Sequence, residues 1–225
     1  MMFSMDIEDF KSRLFLDVVS EEQKAALEGL GVPYQSKGSF VLVPRLLLDK
    51  DMSAVVTHEM LLDIGMDMDT LFEECKINFT KMYPGKVVGL SEYLSKEEME
   101  IEPDGIAMPQ VYVLTNATGA NGAAAFFYQP DMVDNLATML GKDLLVFPAG
   151  KNEMFCIPVS NSTQLGEIQE MYNEAVSSLG LDEEQPLSAE VMQYDHIKRN
   201  VKQMDGSSFS LDGLENSAVA RHNSR

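Results

Sequence analysis

Residues 111–180 read VYVLTNATGANGAAAFFYQPDMVDNLATMLGKDLLVFPAGKNEMFCIPVSNSTQLGEIQEMYNEAVSSLG. Four short apolar runs and two periodic segments follow one another there. Val111–Asn116 and Ala123–Gln129 read as a strand pair joined by the small, polar loop Ala117–Gly122, whose two glycines can take φ > 0. Pro130 suits a first helical turn, where its missing N–H is no loss. Val133, Leu136, Ala137 and Leu140 follow at helical spacing, and Gly141 supplies a left-handed cap. Leu144–Phe147 and Met154–Ile157 form a second strand pair, the unbroken run LLVF predicting a strand covered on both faces. Asn161 and Gln164 match a capping box, opening a helix with Leu165, Ile168, Tyr172, Ala175, Val176 and Leu179 on one stripe and Gly180 at its end. The stretch therefore predicts a ββαββα unit on a mixed or antiparallel sheet.

Working outward, Asp6–Val18 reads as a helix with Ile7, Phe10, Leu14 and Val18 on one face. Ser20–Gln23 is a capping-box pattern for a second, short helix through Leu27 and Leu30. That helix ends at Gly31, since Val32 precedes a proline and is pushed out of the α region. Phe40–Leu48 reads as a strand, and its internal Pro44, lacking a ladder donor, predicts an edge strand or a bulge. A strand over Ser53–Thr57 and a short helix around Glu59–Ile64 come next. Asp67 caps a longer helix, with Met68, Leu71, Phe72, Cys75, Phe79 and Met82 as its stripe, and Tyr83-Pro84-Gly85 stops it. A brief helix near Ser91–Tyr93 leads into the acidic, loop-like KEEMEIEPDGIAMPQ of residues 96–110. After Gly180 a final helix or strand stays open. From Asp205 the chain is polar and Ser/Gly-rich without period, which predicts disorder. The expected architecture is α+β in two small lobes: residues 1–105 (two helices, a strand pair, a helix), residues 106–200 (the ββαββα unit) and a disordered tail, 201–225.

At 225 residues with 45% apolar side chains, the chain is long enough to bury sizeable cores. No apolar run approaches the roughly 20 residues of a membrane span. The acidic N-terminus lacks the layout of a signal peptide, and two cysteines agree with a reducing compartment, so a cytoplasmic location is expected. Acidic side chains number 36 against 17 basic ones, a net charge of −19. Residues 201–225 balance to zero, so the excess belongs to the folded part. It implies solubility and an acidic surface for a protein partner; a DNA-mimicking decoy is a further, less favoured reading. The basic cluster Lys198, Arg199 and Lys202 is too small a footprint for direct nucleic-acid binding.

Motifs of known chemistry are missing. His58 with Glu59 lacks the second histidine of a zinc-binding helix, and His196 beside Asp195 is a sequence neighbour, whose side chain points away on a regular element. Cys75 and Cys156 fall at core positions. Gly119 and Gly122 look like part of a phosphate loop, but they join two predicted strands where such a loop opens onto a helix. Asp131 and Asp134 favour a helix start; Glu97, Glu98, Glu100, Glu102 and Asp104 make a solvated charge run. No cofactor or metal is implied. The polar residues gathered on the first predicted hairpin, Tyr112, Thr115, Asn116, Asn121 and Tyr128, are the candidate ligand-binding residues for a small molecule of unknown identity. Turn satisfaction by the Asn and Thr side chains is the simpler reading of them.

The runs VTHEMLLDIGMDMDTLFEECKINFTKMYP, VYVLTNATGANGAAAFFY and LGKDLLVFPAGKNEMFCIPV resemble the matching blocks of an uncharacterised bacterial domain-of-unknown-function family common in gut anaerobes. DFKSRLFLDVVSEEQKAALEGLGVPYQ and FVLVPRLLLDKD resemble the segment those proteins place earlier. The resemblance covers roughly residues 6–200 and its motifs are structural. Members generally carry a further helical segment at the N-terminus, so this chain resembles a shortened form. Many also show a Ser-Ser…His pattern after the proline matching Pro148; here that stretch is Ala149-Gly150-Lys151-Asn152, and the pattern is not supported. The resemblance implies no activity. The residues favour a non-catalytic binding or interaction protein over a hydrolase or transferase whose site lies between the lobes.

Overall fold

The computed structural model describes residues 5–50, 52–96, 110–160, 168–170, 187–188 and 190–211. The protein is α+β, with antiparallel strand pairing throughout two sheets. These belong to two compact units that divide between Met82 and Tyr83.

The first unit opens with α1 (Ile7–Ser12), whose N-terminus Asp6 caps by accepting from the Glu8 and Asp9 N–H groups. The helix expected as far as Val18 stops there, and Leu14–Ser20 form strand β1. The physical reason is burial on both faces. Leu14 to Val18 are buried without a gap, and a helix at the surface of a sheet would expose several of them. The Ser20 pattern gives a short 3₁₀ turn, Glu21–Gln23, with no side-chain cap, followed by α2 (Lys24–Gly29). Then come β2 (Gln35–Lys37), β3 (Phe40–Asp49), β4 (Met52–Val55), α3 (His58–Ile64) and α4 (Met68–Met82). β3 is the spine of this sheet. It pairs with β1 along one edge, and with β2 and then β4 along the other.

Pro44 therefore lies in a central strand, where an edge or a bulge was expected. Its C=O accepts from Val56 N–H, so its own nitrogen faces the same side, between the last partner of β2 at Leu42 and the first of β4 at Arg45. The missing donor falls where the ladder changes partner. Val41 and Val43 cluster with Leu27 and Val32 on one face of the sheet. α4 packs along β1 and buries Leu71, Phe72, Cys75 and Phe79.

The second unit holds β5 (Gly85–Gly89), α5 (Leu90–Lys96), β6 (Tyr112–Asn116), α6 (Gly122–Tyr128), α7 (Asp131–Leu140), β7 (Leu144–Phe147), β8 (Met154–Pro158), β9 (Met192–Asp195), β10 (Asn200–Lys202) and β11 (Ser208–Ser210). Its sheet runs β11-β10-β9-β7-β8-β6-β5. Ala123–Gln129, read as the second strand, is instead α6. GAAAFFY contains no β-branched residue, three alanines favour the helix, and all seven residues are buried, so no polar face betrays a period. The neighbour expected from that run is supplied by β5, which pairs with β6 in register Gly85↔Asn116 to Gly89↔Tyr112. This pairing takes residues 85–96 into the second unit, so the division falls upstream of the acidic stretch read as a lobe boundary. Between Asp205 and Leu211, where disorder was expected, β11 pairs with β10 and Phe209 stacks on Phe127.

α7 forms as the spacing predicts, burying Val133, Leu136 and Ala137 and ending at Gly141 in the left-handed region, φ 62°. Burying Val133 and Leu136 contributes about 1.5–3 kcal/mol each. β7 is buried at every position, and Leu145 and Phe147 cluster with Ala149 and Val191. Of the helix expected over 161–180, residues 168–170 are helical, and Ile168 packs on that cluster. The rest of that segment, the acidic run 97–109 and the residues after Leu211 lie outside the described residues.

Candidate functional site

The second unit brings three of the five candidate residues to one corner, where β6 passes into α6. Thr115 Oγ1 donates to the Asn152 carbonyl at 3.0 Å. Asn116 is buried; its Oδ1 accepts from Thr118 N–H (2.9 Å) and Thr118 Oγ1 (2.7 Å), and its Nδ2 donates to the Ala120 carbonyl. Asn121 adopts the left-handed conformation, φ 54°, with its N–H donating to Asn152 Oδ1 at 3.1 Å. Ala123 N–H donates to the Lys151 carbonyl. The corner is thus laced to the β7–β8 loop through Asn152, a residue the sequence did not single out. The sequence offered Ala149–Asn152 only as the stretch where the Ser-Ser…His pattern is not supported.

Gly122 makes that lacing possible. A Cβ on it would run into the Asn152 carbonyl oxygen and lie 2.8 Å from Thr115 Cα, so only glycine lets α6 start this close to β6. The structure leaves the other two candidates apart from this corner. Tyr112 is at the opposite end of β6, ~13 Å along the strand. Tyr128 is buried at the far end of α6, ~9 Å along its axis.

A second constellation spans β7, β9 and α7. Asp143 precedes β7, and its Oδ1 accepts from the His196 N–H at 3.1 Å and lies 2.7 Å from His196 Nδ1; its Oδ2 accepts from Gln193 Nε2 at 3.1 Å. A carboxylate only accepts, so Nδ1 carries the proton and Nε2 takes no part in these bonds. His196 therefore pairs with Asp143, while its sequence neighbour Asp195 caps the turn, accepting from Ile197 and Lys198 N–H. The Lys198 amide, followed by its side chain, holds the Asp195 carboxyl below the ordinary range. Tyr194, which leaves β9 on the opposite face from Gln193, donates to Asp134 Oδ1 at 2.8 Å, and Arg199 reaches Asp131 at 3.3 Å. Burial first, and then the bond to Asp134, push the Tyr194 phenol above its ordinary value. This pairing was hidden in the sequence because its members are about 50 residues apart.

Burial pushes both thiols, Cys75 and Cys156, well above the range of a reactive thiolate. Among the described residues no three of His, Cys, Asp and Glu come together as a metal site. His58 opens α3, its N–H donating to the Gly31 carbonyl. Among the described residues no helix is long and apolar enough to cross a membrane.

One family model, described as a family of unknown function (DUF5688), matches residues 1–196. No curated protein matches the chain, and no solved structure does.

Proposed function

The chain belongs to DUF5688, a family of unknown function, and on that premise we propose that it is a non-catalytic binding protein of the cytoplasm that meets a protein partner through its acidic surface. One observation carries the reading. The hydrogen-bonding groups of Thr115, Asn116 and Asn152 at the β6–α6 corner are spent on the protein's own turns. The acidic excess, −19 over the chain, supports a surface that addresses such a partner. Two free, buried thiols support a reducing compartment.

Native mass spectrometry of the tagged protein, purified gently from its own cells, tests this. A protein retained at low salt and released at moderate salt is the expected result, since charge-led association is screened. A preparation that turns over a substrate, and loses that turnover through a point substitution, would overturn it. The Asp143–His196 pair favours a second reading, a hydrolase or transferase, because a histidine oriented by a carboxylate is half of an acid–base device. Under that reading Asp143→Asn lowers turnover and shifts its pH profile.

A further inference from the structure

Asn121–Gly122 is the one Asn-Gly step in the chain. At such a step a polypeptide can attack itself. The glycine nitrogen adds to the asparagine side-chain carbonyl carbon, the C–N bond to the amide nitrogen breaks, and ammonia leaves. Water then opens the resulting succinimide to aspartate or isoaspartate. Glycine favours the reaction because no side chain shields its nitrogen. We propose that Asn121 is a deamidation site gated by the β6–α6 corner, unreactive while the corner is laced and reactive when it opens.

The ingredients are in place. Asn121 is partly exposed and its side chain caps nothing, so water reaches the amide. The closed geometry forbids ring closure, however. Attack requires the Cα–C bond of Asn121 to turn until the Gly122 nitrogen eclipses Cβ, and ψ of 29° places that nitrogen on the opposite side. Three contacts block the rotation. Asn121 N–H is held by Asn152 Oδ1, Ala123 N–H by the Lys151 carbonyl, and Gly122 is wedged against Asn152 and Thr115. The corner must therefore let go before the reaction begins. Isoaspartate adds a methylene to the main chain where Gly122 has no space to spare, so this product keeps the corner from closing again.

The test follows deamidation at Asn121 by peptide mapping and isoaspartate methylation, in the full chain under native conditions and in urea. The native chain reacts slowly and the unfolded chain fast. Asn152→Ala, which removes one tether, speeds the native reaction about fivefold, the change in open population expected from losing one ordinary hydrogen bond. If Asn152→Ala does not fold, Thr115→Val removes the bond to the Asn152 carbonyl and serves instead. Asn121→Gly keeps the left-handed turn and abolishes the product, which locates the reaction. Equal rates in native buffer and urea, no acceleration in a folded tether variant, or no product in urea would each overturn the proposal.

Discussion

At the scale of single residues, two positions decide more than their size suggests. Gly122 gives α6 room to start against β6, and its substitution meets main chain, which cannot swing aside as a side-chain end can. Gly122→Ala is expected to destabilise the second unit by about 1–3 kcal/mol, the range of overpacking. Gly89→Ala is the control: a Cβ there meets nothing within 4 Å, and its stability should hardly move. Urea unfolding midpoints of the two variants make the comparison. Asp17 is the second position, a carboxylate 1% exposed in the middle of β1. It lies 3.5 Å from the Arg45 guanidinium and accepts from Val18 N–H at 2.9 Å. Asp17→Ala orphans that N–H and removes a partner of Arg45, which keeps its contact with the Ser53 hydroxyl at 3.0 Å. The expected cost is about 1–3 kcal/mol, below that of a wholly buried pair because Arg45 is partly exposed. Asp17→Asn, which keeps an acceptor, should cost less on the same urea curves.

At the scale of elements, the legible parts are those whose local chemistry and tertiary setting agree. α7 announced its stripe and its Gly141 cap, and α4 its Asp67 start and proline stop, because each has one wet face and one dry one. β1 and α6 were misread for the same physical reason in opposite directions. Both are buried all round, so periodicity vanishes and only composition is left: LFLDVVS has the β-branched residues and GAAAFFY has the alanines. β5 was overlooked because GKVVG is short and begins and ends with glycine. The Asp143–His196 pair could not be seen at all, since strand order sets it and strand order is not local. The cap of α4 gives a prediction with a definite sign. Thr70 N–H donates to Asp67 Oδ1 at 2.8 Å, and this bond first, with help from the Thr70 side chain, holds the Asp67 carboxyl below its ordinary value. A depressed folded-state value stabilises above the unfolded-state value and is lost as pH falls through the folded one. Asp67→Ala should therefore melt below the unsubstituted protein at neutral pH, and the gap between the two should close as pH falls below the ordinary carboxylate range. A gap that persists unchanged into acid would mean that the carboxylate charge is not what caps the helix.

At the scale of the whole molecule, charge is the dominant signal, and its effect on stability can be separated from its effect on binding. Acidic side chains exceed basic ones by 36 to 17, so like charges repel within the native chain. The exposed ion pairs oppose this only weakly. Lys11–Glu8 at 3.1 Å, Lys24–Glu21 at 2.8 Å and Lys198–Asp195 at 3.2 Å each contribute about 0–1 kcal/mol. Raising salt from about 0.01 M to about 0.15 M shortens the screening length from about 30 Å to about 8 Å. That removes long-range repulsion among many carboxylates and weakens a few close pairs that were weak already. Repulsion should win, so thermal stability rises with salt, by about 2–4 °C for each kcal/mol of repulsion relieved. Binding of the proposed protein partner, if charge leads it, should move the other way and weaken over the same range. Calorimetry of the isolated protein and salt titration of a recovered complex read the two trends separately. Opposite slopes fit an acidic surface that carries a cost in the free chain and is relieved by a partner. A melting temperature that falls with salt would mean that the carboxylates stabilise the folded chain through their pairs, and the case for an outward-facing acidic surface would fall with it.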